Sequence, residues 1–232
     1  MKIEFYLINL DDNYERLASA DLQLKAQAIN YIRVSAFDGR NLNPNEHPLY
    51  NKMKSLSYMG RELVGGEIGC FISHMKCAKL FLESSADFAV VLEDDFKSNA
   101  DLKETINKTL SWLMENNPTE WALINIGNNK LKLSSPLKDF HSASQMHSLR
   151  SAHYFPMTTT GLIWSRLGAE EFFKCSTQIF APIDNFFRFW LTRSNKGLAF
   201  TPPLVQTTGV ESEIDKSALA FKKRKSQSRS PF

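Results

Sequence analysis

The sequence has no Gly-rich phosphate loop: neither G-x-G-x-x-G nor G-x-x-x-x-G-K-[ST] occurs in its 232 residues. The first absence argues against a dinucleotide enzyme, and the second against a P-loop enzyme. No apolar run approaches the ~20 residues that a membrane-spanning helix needs. The opening Met1-Lys2-Ile3-Glu4-Phe5 lacks the basic region and long apolar stretch of a secretory signal, so a cytoplasmic location is expected. Cysteine is scarce. Cys70, Cys77 and Cys175 are odd in number and match no zinc spacing. On a helix, Cys70 and Cys77 would lie roughly 10 Å apart, too far for a disulfide, so all three are expected to be reduced and buried. Acid is missing from residues 221–232, which carry Lys222, Lys223, Arg224, Lys225 and Arg229. Those five cations exceed the formal net charge of +3, so the body of the chain is slightly acidic and no nucleic-acid partner is expected. Internal repeats are also lacking. With 43% hydrophobic and 23% charged residues there is ample material for the core of one large domain or two small ones.

What is present is an alternation of apolar runs and amphipathic stretches. Residues 3–10 (IEFYLINL) read as a buried strand. Asp11 or Asp12 is placed to cap a helix over 13–27, with Leu17, Ala20, Leu24 and Ala28 on one face. Residues 31–37 form a second strand, closed by Asp38-Gly39. Strand, helix, strand is a right-handed crossover and implies parallel pairing. Residues 40–60, polar and rich in Asn and Pro, read as a long loop. Gly65-Gly66-Glu67 opens a largely buried helix to about residue 83, and residues 101–117 form another that ends before Pro118. Residues 121–127 are a buried strand, 128–150 a hairpin or a flexible loop, and 151–164 a strand broken by Pro156. A short helix follows from Ser165 or Arg166 to Cys175, another starts at 181–185, and 198–201 is a late strand. One α/β domain over 1–210 is expected, followed by a polar, basic tail over 211–232 with the composition of disorder.

The most informative stretch is Phe88-Ala89-Val90-Val91-Leu92-Glu93-Asp94-Asp95-Phe96, where five apolar residues run into three adjacent carboxylates. The apolar run suits a strand buried on both faces. Three acids at its end repel by about 1 kcal/mol or more per close pair even in a fairly high dielectric, and a cation relieves this. Ligand sites in open α/β sheets lie at the carboxyl ends of strands, so the triplet reads as a divalent-metal site. The competing reading is a solvated turn that opens a helix with acids at its N-terminus. A protein that binds a nucleotide diphosphate without a phosphate loop needs another way to neutralise it, and carboxylate-held Mg²⁺ or Mn²⁺ does so. A nucleotidyltransferase would need a Gly-rich, basic loop for a triphosphate, whereas Leu10 is followed by Asp11-Asp12-Asn13.

Six motifs in order resemble glycosyltransferase family 25, specifically its bacterial lipooligosaccharide members, relatives of the collagen galactosyltransferases. They are Ile8-Asn9-Leu10 with Arg16, Ala36-Phe37-Asp38-Gly39, Gly66-Glu67-Ile68-Gly69-Cys70-Phe71-Ile72-Ser73-His74, Leu92-Glu93-Asp94-Asp95, Pro182-Ile183-Asp184-Asn185-Phe186 and Pro202-Pro203-Leu204-Val205-Gln206. Together they cover residues 3–206. The resemblance implies a GT-A-like, Rossmann-type single domain with a mixed, mainly parallel sheet flanked by helices. It implies inverting, metal-assisted transfer of a hexose from a UDP-sugar, most often UDP-galactose, to a lipooligosaccharide core. Transfer from UDP-glucose and a non-catalytic glycan-binding module on the same fold are the alternatives. Carried over, Glu93 and Asp95 hold Mn²⁺ or Mg²⁺, and Asp94 faces the ribose or donor sugar. Asn9, Leu10 and Arg16 hold the uracil or ribose, with Asp38 a further nucleoside candidate. Gln206 stands where collagen-modifying relatives have a metal-binding His, and offers one neutral oxygen in its place.

The remaining residues carry two readings each. Inversion needs a base for the acceptor hydroxyl, and Asp184 is the candidate, with an N-cap as the alternative. His74 is either a catalytic-site residue or a hydrogen-bonded core histidine. Glu67 touches the donor or only its helix's N-terminus. Thr158-Thr159-Thr160-Gly161 supplies hydroxyls to a sugar or is a plain strand. Phe186, Phe187, Phe189 and Trp190 read as core, with one ring available to stack on an acceptor sugar. The tail, through Lys222, Lys223, Arg224 and Lys225, suits peripheral contact with an anionic membrane at the inner face of the inner membrane, where a glycolipid acceptor would be anchored, or is a solvated end.

Overall fold

A computed structural model of the protein describes residues 1–99, 101–116, 118–128, 130–142 and 145–209. The basic tail, with Lys222, Lys223, Arg224 and Lys225, lies outside the described residues. The chain opens with β1 (Ile3–Asn9), α1 (Tyr14–Ala26) and β2 (Ile32–Ser35), then α2 (Lys52–Met59) and α3 (Gly65–Glu83). Next come β3 (Phe88–Glu93), β4 (Phe96–Ser98), α4 (Leu102–Asn116), β5 (Leu123–Asn125), β6 (Ser134–His141) and β7 (Met146–Ala152). β8 (Gly161–Ser165), α5 (Arg166–Cys175), α6 (Ile183–Ser194), β9 (Gly197–Thr201) and β10 (Val205–Thr207) complete the described chain. The main sheet has the order β2-β1-β3-β8-β5-β9-β7-β6, and β4 and β10 form a separate pair.

Sequence alternation builds the layers. Phe5 and Leu7 of β1, Val90 and Leu92 of β3 and Ile163 of β8 face one core, covered by α1 and α4. Tyr6 and Ile8, Ala89 and Val91, and Leu162 and Trp164 face the other, covered by α3, α5 and α6. The central strands are therefore buried on both faces, which is why β3 reads as an unbroken apolar run.

β1 pairs in parallel with β2 and β3, as the crossover predicts, and β5 with β9. β8 runs antiparallel between β3 and β5, and β7 is antiparallel to β9 and β6. The sheet is thus mixed, with more antiparallel pairing than expected, because β8 arrives from the β6–β7 hairpin rather than through a crossover helix. The stretch 40–60 is not a plain loop: it holds a 3-10 turn at Pro44–Glu46 and α2, which Asn51 caps by accepting from the Lys54 N–H. Nor do Asp11 and Asp12 cap α1. Asn13 does, while Asp11 pairs with Arg33 and Asp12 with Arg40. The three cysteines are free, as expected, but Cys175 at the end of α5 is exposed.

Two of the sequence motifs turn out to be halves of one contact. A Cβ on Gly65 or Gly69, one turn apart on α3, would fall 2.1 Å from the Gly39 carbonyl oxygen or 2.5 Å from that of Phe37. Bare backbone at both positions lets α3 press against the Phe37-Asp38-Gly39 strand exit, forming the floor of the cleft described next.

Candidate active site

The three acids leave β3 at the middle of the sheet and are followed by β4, not by a helix, so they are not the N-terminal acids of a helix. They are also largely sequestered: the side chains of Glu93, Asp94 and Asp95 are 25, 9 and 16% exposed. Together they line one cleft with Asn9, Leu10 and Arg16 from β1 and α1 and Asp38 from the exit of β2.

The carboxylates have separate surroundings. Asp94 accepts from Asn9 Nδ2 at 2.7 Å and from Arg16 Nη1 at 3.1 Å, so both of its oxygens are engaged. Burial raises its pKa above the ordinary carboxylate range, against the pull of Asn9 and Arg16. Glu93 turns away, toward α3 and the segment before β8. Its Oε1 accepts from Thr159 Oγ1 at 2.6 Å, His74 Nε2 at 3.2 Å and Cys70 Sγ at 3.7 Å. An ionised carboxylate only accepts, so His74 presents Nε2–H. Burial alone would raise the Glu93 pKa, but His74, Thr159 and Cys70 outweigh it and hold the carboxyl below the ordinary range. Asp95 accepts from Thr207 Oγ1 at 3.1 Å through Oδ2, while Arg16 Nη2 stands 4.0 Å away. Asp95 Oδ1 and Arg16 Nη2 are both buried and have no hydrogen-bond partner among the described residues. Burial, with the charge of Glu93 beside it, pushes the Asp95 pKa up to about 6.

The orphaned Asp95 oxygen suits a cation. Leaving a buried charged oxygen unmatched is costly, and bound Mn²⁺ or Mg²⁺ would answer it with the oxygen ligand such ions prefer. Glu93 also lines the cleft and brings the second carboxylate to it. Cys70, His74 and Glu93 also bring a sulfur, a nitrogen and an oxygen within 4.8 Å of one another. There the Glu93 oxygen already takes three donors, which accounts for the grouping without an ion.

Other expected residues fall elsewhere. Gln206 is not brought to the acids. In β10 it lies opposite Lys97, and alternate side chains face opposite ways. Its neighbour Thr207 is the one that reaches Asp95, so Gln206 is corrected as a metal ligand. His74 is fully buried behind Glu93 and does not line the cleft. Asn9 spends its amide on Asp94 and on the Asn13 carbonyl. Asp38 accepts from Arg40 Nε and Nη2, and Arg40 also reaches Asp12, tying the β1 and β2 exits together at the cleft rim. Glu67 takes a two-pronged pair from Arg61 and accepts from the Val64 N–H, so it serves its own helix start. Asp184 sits in the first turn of α6, not at its cap, and accepts from the Asn185 N–H at 2.7 Å. Burial raises its pKa, and the charge of Glu93 is close enough to add to the rise. Phe186 and Phe187 are core, while Phe189 and Trp190 are only partly buried.

Thr207, Cys70 and Arg40 are site residues that no sequence motif announces as such. Thr159, which reads in sequence as a sugar ligand or a plain strand residue, gives its hydroxyl to Glu93. A signal lies in Thr158, whose φ of 82° is left-handed, rare for a β-branched residue and often found at functional sites. Asn125 Nδ2 holds the Thr158 carbonyl at 2.9 Å, and this bend aims Thr159 at Glu93.

Comparison with known proteins bears on the whole arrangement. The sequence is 29% identical over 188 residues to procollagen galactosyltransferase 1 of Danio rerio, covering 79% of this chain and 30% of that one. To procollagen galactosyltransferase 2 of Homo sapiens it is 27% identical over 173 residues, 72% of this chain and 27% of that one. A protein of Rattus norvegicus described as a probable inactive glycosyltransferase 25 family member 3 is 30% identical over 135 residues, 55% of this chain and 23% of that one. The chain thus spans less than a third of the length of these curated relatives. Among solved structures, a glycosyltransferase involved in the glycosylation of the major capsid of PBCV-1 superimposes with a TM-score of 0.47 at 8% identity, over 94% of this chain and 98% of that one. The profile of one family matches residues 2–187, and by that match the chain belongs to glycosyltransferase family 25, described as LPS biosynthesis protein.

Proposed function

We propose that this chain transfers a hexose with inversion from UDP-galactose to the core of a lipooligosaccharide, assisted by Mn²⁺ or Mg²⁺. One observation carries the reading: Asp95 Oδ1 is buried at the carboxyl end of a central strand, in a residue that lines a cleft, and has no hydrogen-bond partner among the described residues. Asp95 and Glu93 are the residues that would hold the metal. When bound, the ion would neutralise charge on the leaving diphosphate.

The chain's own groups do the rest. Asn9 and Arg16 lock Asp94, while Arg16 Nη2, without a hydrogen bond among the described residues, is available to an oxygen of the nucleotide. The exits of β1 and β2, clamped by Arg40, form the wall for the nucleoside. Asp184 accepts the proton of the acceptor hydroxyl. Its raised pKa suits it to hold that proton as the new bond forms. His74 and Thr159 act through Glu93, keeping it ionised and in one orientation.

No helix among the described residues is long and apolar enough to cross a membrane. We place the reaction in the cytoplasm, at the inner face of the membrane that carries the glycolipid. The test is UDP release from UDP-galactose with Mn²⁺ and again with EDTA, with UDP-glucose run beside it. Metal-dependent release supports the reading. A non-catalytic module, the competing reading that the inactive relative favours, binds glycan without releasing UDP.

A further inference from the structure

Further along α6 from Asp184, and on α2, lies an aromatic face whose residues do not line the cleft of the β3 acids. Tyr58 of α2 and Phe180 and Phe189 beside and on α6 meet edge-on, each pair of ring centroids 5.4 Å apart. Three cations rest on this aromatic surface and its margin. Arg193 lies over the Phe189 ring at 4.1 Å and Lys54 over Phe180 at 4.0 Å. Arg188 lies over the Tyr154 ring at 4.4 Å, and its Nε donates to the Phe155 carbonyl at 2.8 Å. Tyr58 feels both arginines and Tyr154, so these groups form one patch.

The three cations have no carboxylate within ion-pair distance among the described residues. Most other arginines near the site do: Arg16, Arg33, Arg40 and Arg61 are each paired with an acid. The stacking also has a consequence for recognition. A guanidinium held over a ring can still turn its free N–H groups toward a carboxylate or phosphate, which in Arg188 means its terminal nitrogens, since Nε is spent on Phe155. Holding it there beforehand lowers the ordering cost of binding. Arg188 stands one helical turn beyond Asp184, close enough for each to feel the other's charge.

We propose that this face is the acceptor subsite, and that it selects a saccharide carrying a phosphate or carboxylate group. Arg188 and Arg193 hold the anion, Lys54 adds charge, and the exposed ring of Tyr58 (42% exposed) lies against the sugar. The assignment rests on the glycosyltransferase reading for the word acceptor, but the binding preference does not.

The test is binding of the full chain to immobilised oligosaccharides. Neutral sugars are set beside the same sugars bearing phosphate or uronic acid, at low and high salt and without any UDP-sugar. The expected result is at least about tenfold tighter binding of the anionic forms, weakening with salt. The preference should fall about tenfold in Arg193→Gln and in Arg188→Gln, and less in Lys54→Gln. Arg193 and Lys54 are exposed, so their variants keep the test valid if Arg188→Gln fails to fold. Equal binding of neutral and anionic sugars would overturn the proposal. So would an unchanged preference in Arg193→Gln, or binding to vesicles of anionic phospholipid with none to anionic sugars. Failure of UDP release with anionic-sugar binding intact would reject the enzyme and leave this face standing.

Discussion

Replacing Asp95 with Asn should stabilise the metal-free protein while disabling it. Burial and the neighbouring Glu93 charge move the Asp95 carboxyl from its ordinary 3.8 to about 6. A carboxyl whose pKa rises on folding favours the folded state only while protonated. That contribution is full below about pH 4 and is lost as pH climbs through 6. At pH 8 the folded chain therefore carries a penalty of about 3 kcal/mol, from some two units at 1.36 kcal/mol each. Asn keeps the shape and can still accept from Thr207, but it removes the charge. In EDTA at pH 8, Asp95→Asn should gain up to about 3 kcal/mol by urea denaturation, or several degrees in Tm. At pH 4 the two proteins should be nearly equal. Adding Mn²⁺ at a hundred times its Kd should raise the wild type by about 2.7 kcal/mol and leave the variant unmoved. An equal loss of stability at both pH values would refute the reasoning, because Asp95 would then be a structural acceptor and not a strained charge awaiting a cation.

Other residues give further checks. Thr159→Val removes one of three donors to Glu93 and should cost about 1.5–3 kcal/mol at pH 7. Glu93 titrates below its ordinary value, so its contribution is present above that value and fades as pH falls. The Thr159→Val deficit should therefore shrink toward pH 4 in the same urea titrations. Arg16→Lys cannot reproduce the fork at Asp94 and the cleft, and should raise the KM for the UDP-sugar about tenfold with a smaller change in kcat. Gly69→Ala puts a methyl 2.5 Å from the Phe37 carbonyl oxygen and should cost about 2 kcal/mol or more by chemical denaturation, with donor affinity falling as the cleft floor shifts. Asp184→Asn should abolish sugar transfer while UDP binding, read by calorimetry, stays within about twofold.

The layers were legible because the strong signals are local. β1, α1, α3, β3 and α4 have unmistakable periods, and their bounds fall within a residue or two of those expected. The acids at the end of β3 were found for the same reason. What the sequence hid depends on partners distant along the chain. The place of β8 between β3 and β5 is a matter of pairing, which no local period reports. Gln206 and Thr207 differ by one position, and in a strand that decides which side chain meets Asp95. Three adjacent acids look alike in sequence, yet Glu93 faces His74, Asp94 faces Arg16 and Asp95 faces Thr207, since a strand end and a tight turn send them apart. Arg40 was invisible because its two acid partners sit on separate strand exits.

The central claim is that this cleft binds a UDP-sugar through a metal on Asp95 and Glu93. Its most direct measurement is UDP released from UDP-galactose, with an oligosaccharide acceptor, in Mn²⁺ and again after EDTA. The account predicts release that needs the metal, returns when Mn²⁺ is restored, and is absent in Asp95→Asn. Release unaffected by EDTA, or none from any UDP-sugar with any acceptor, would contradict it.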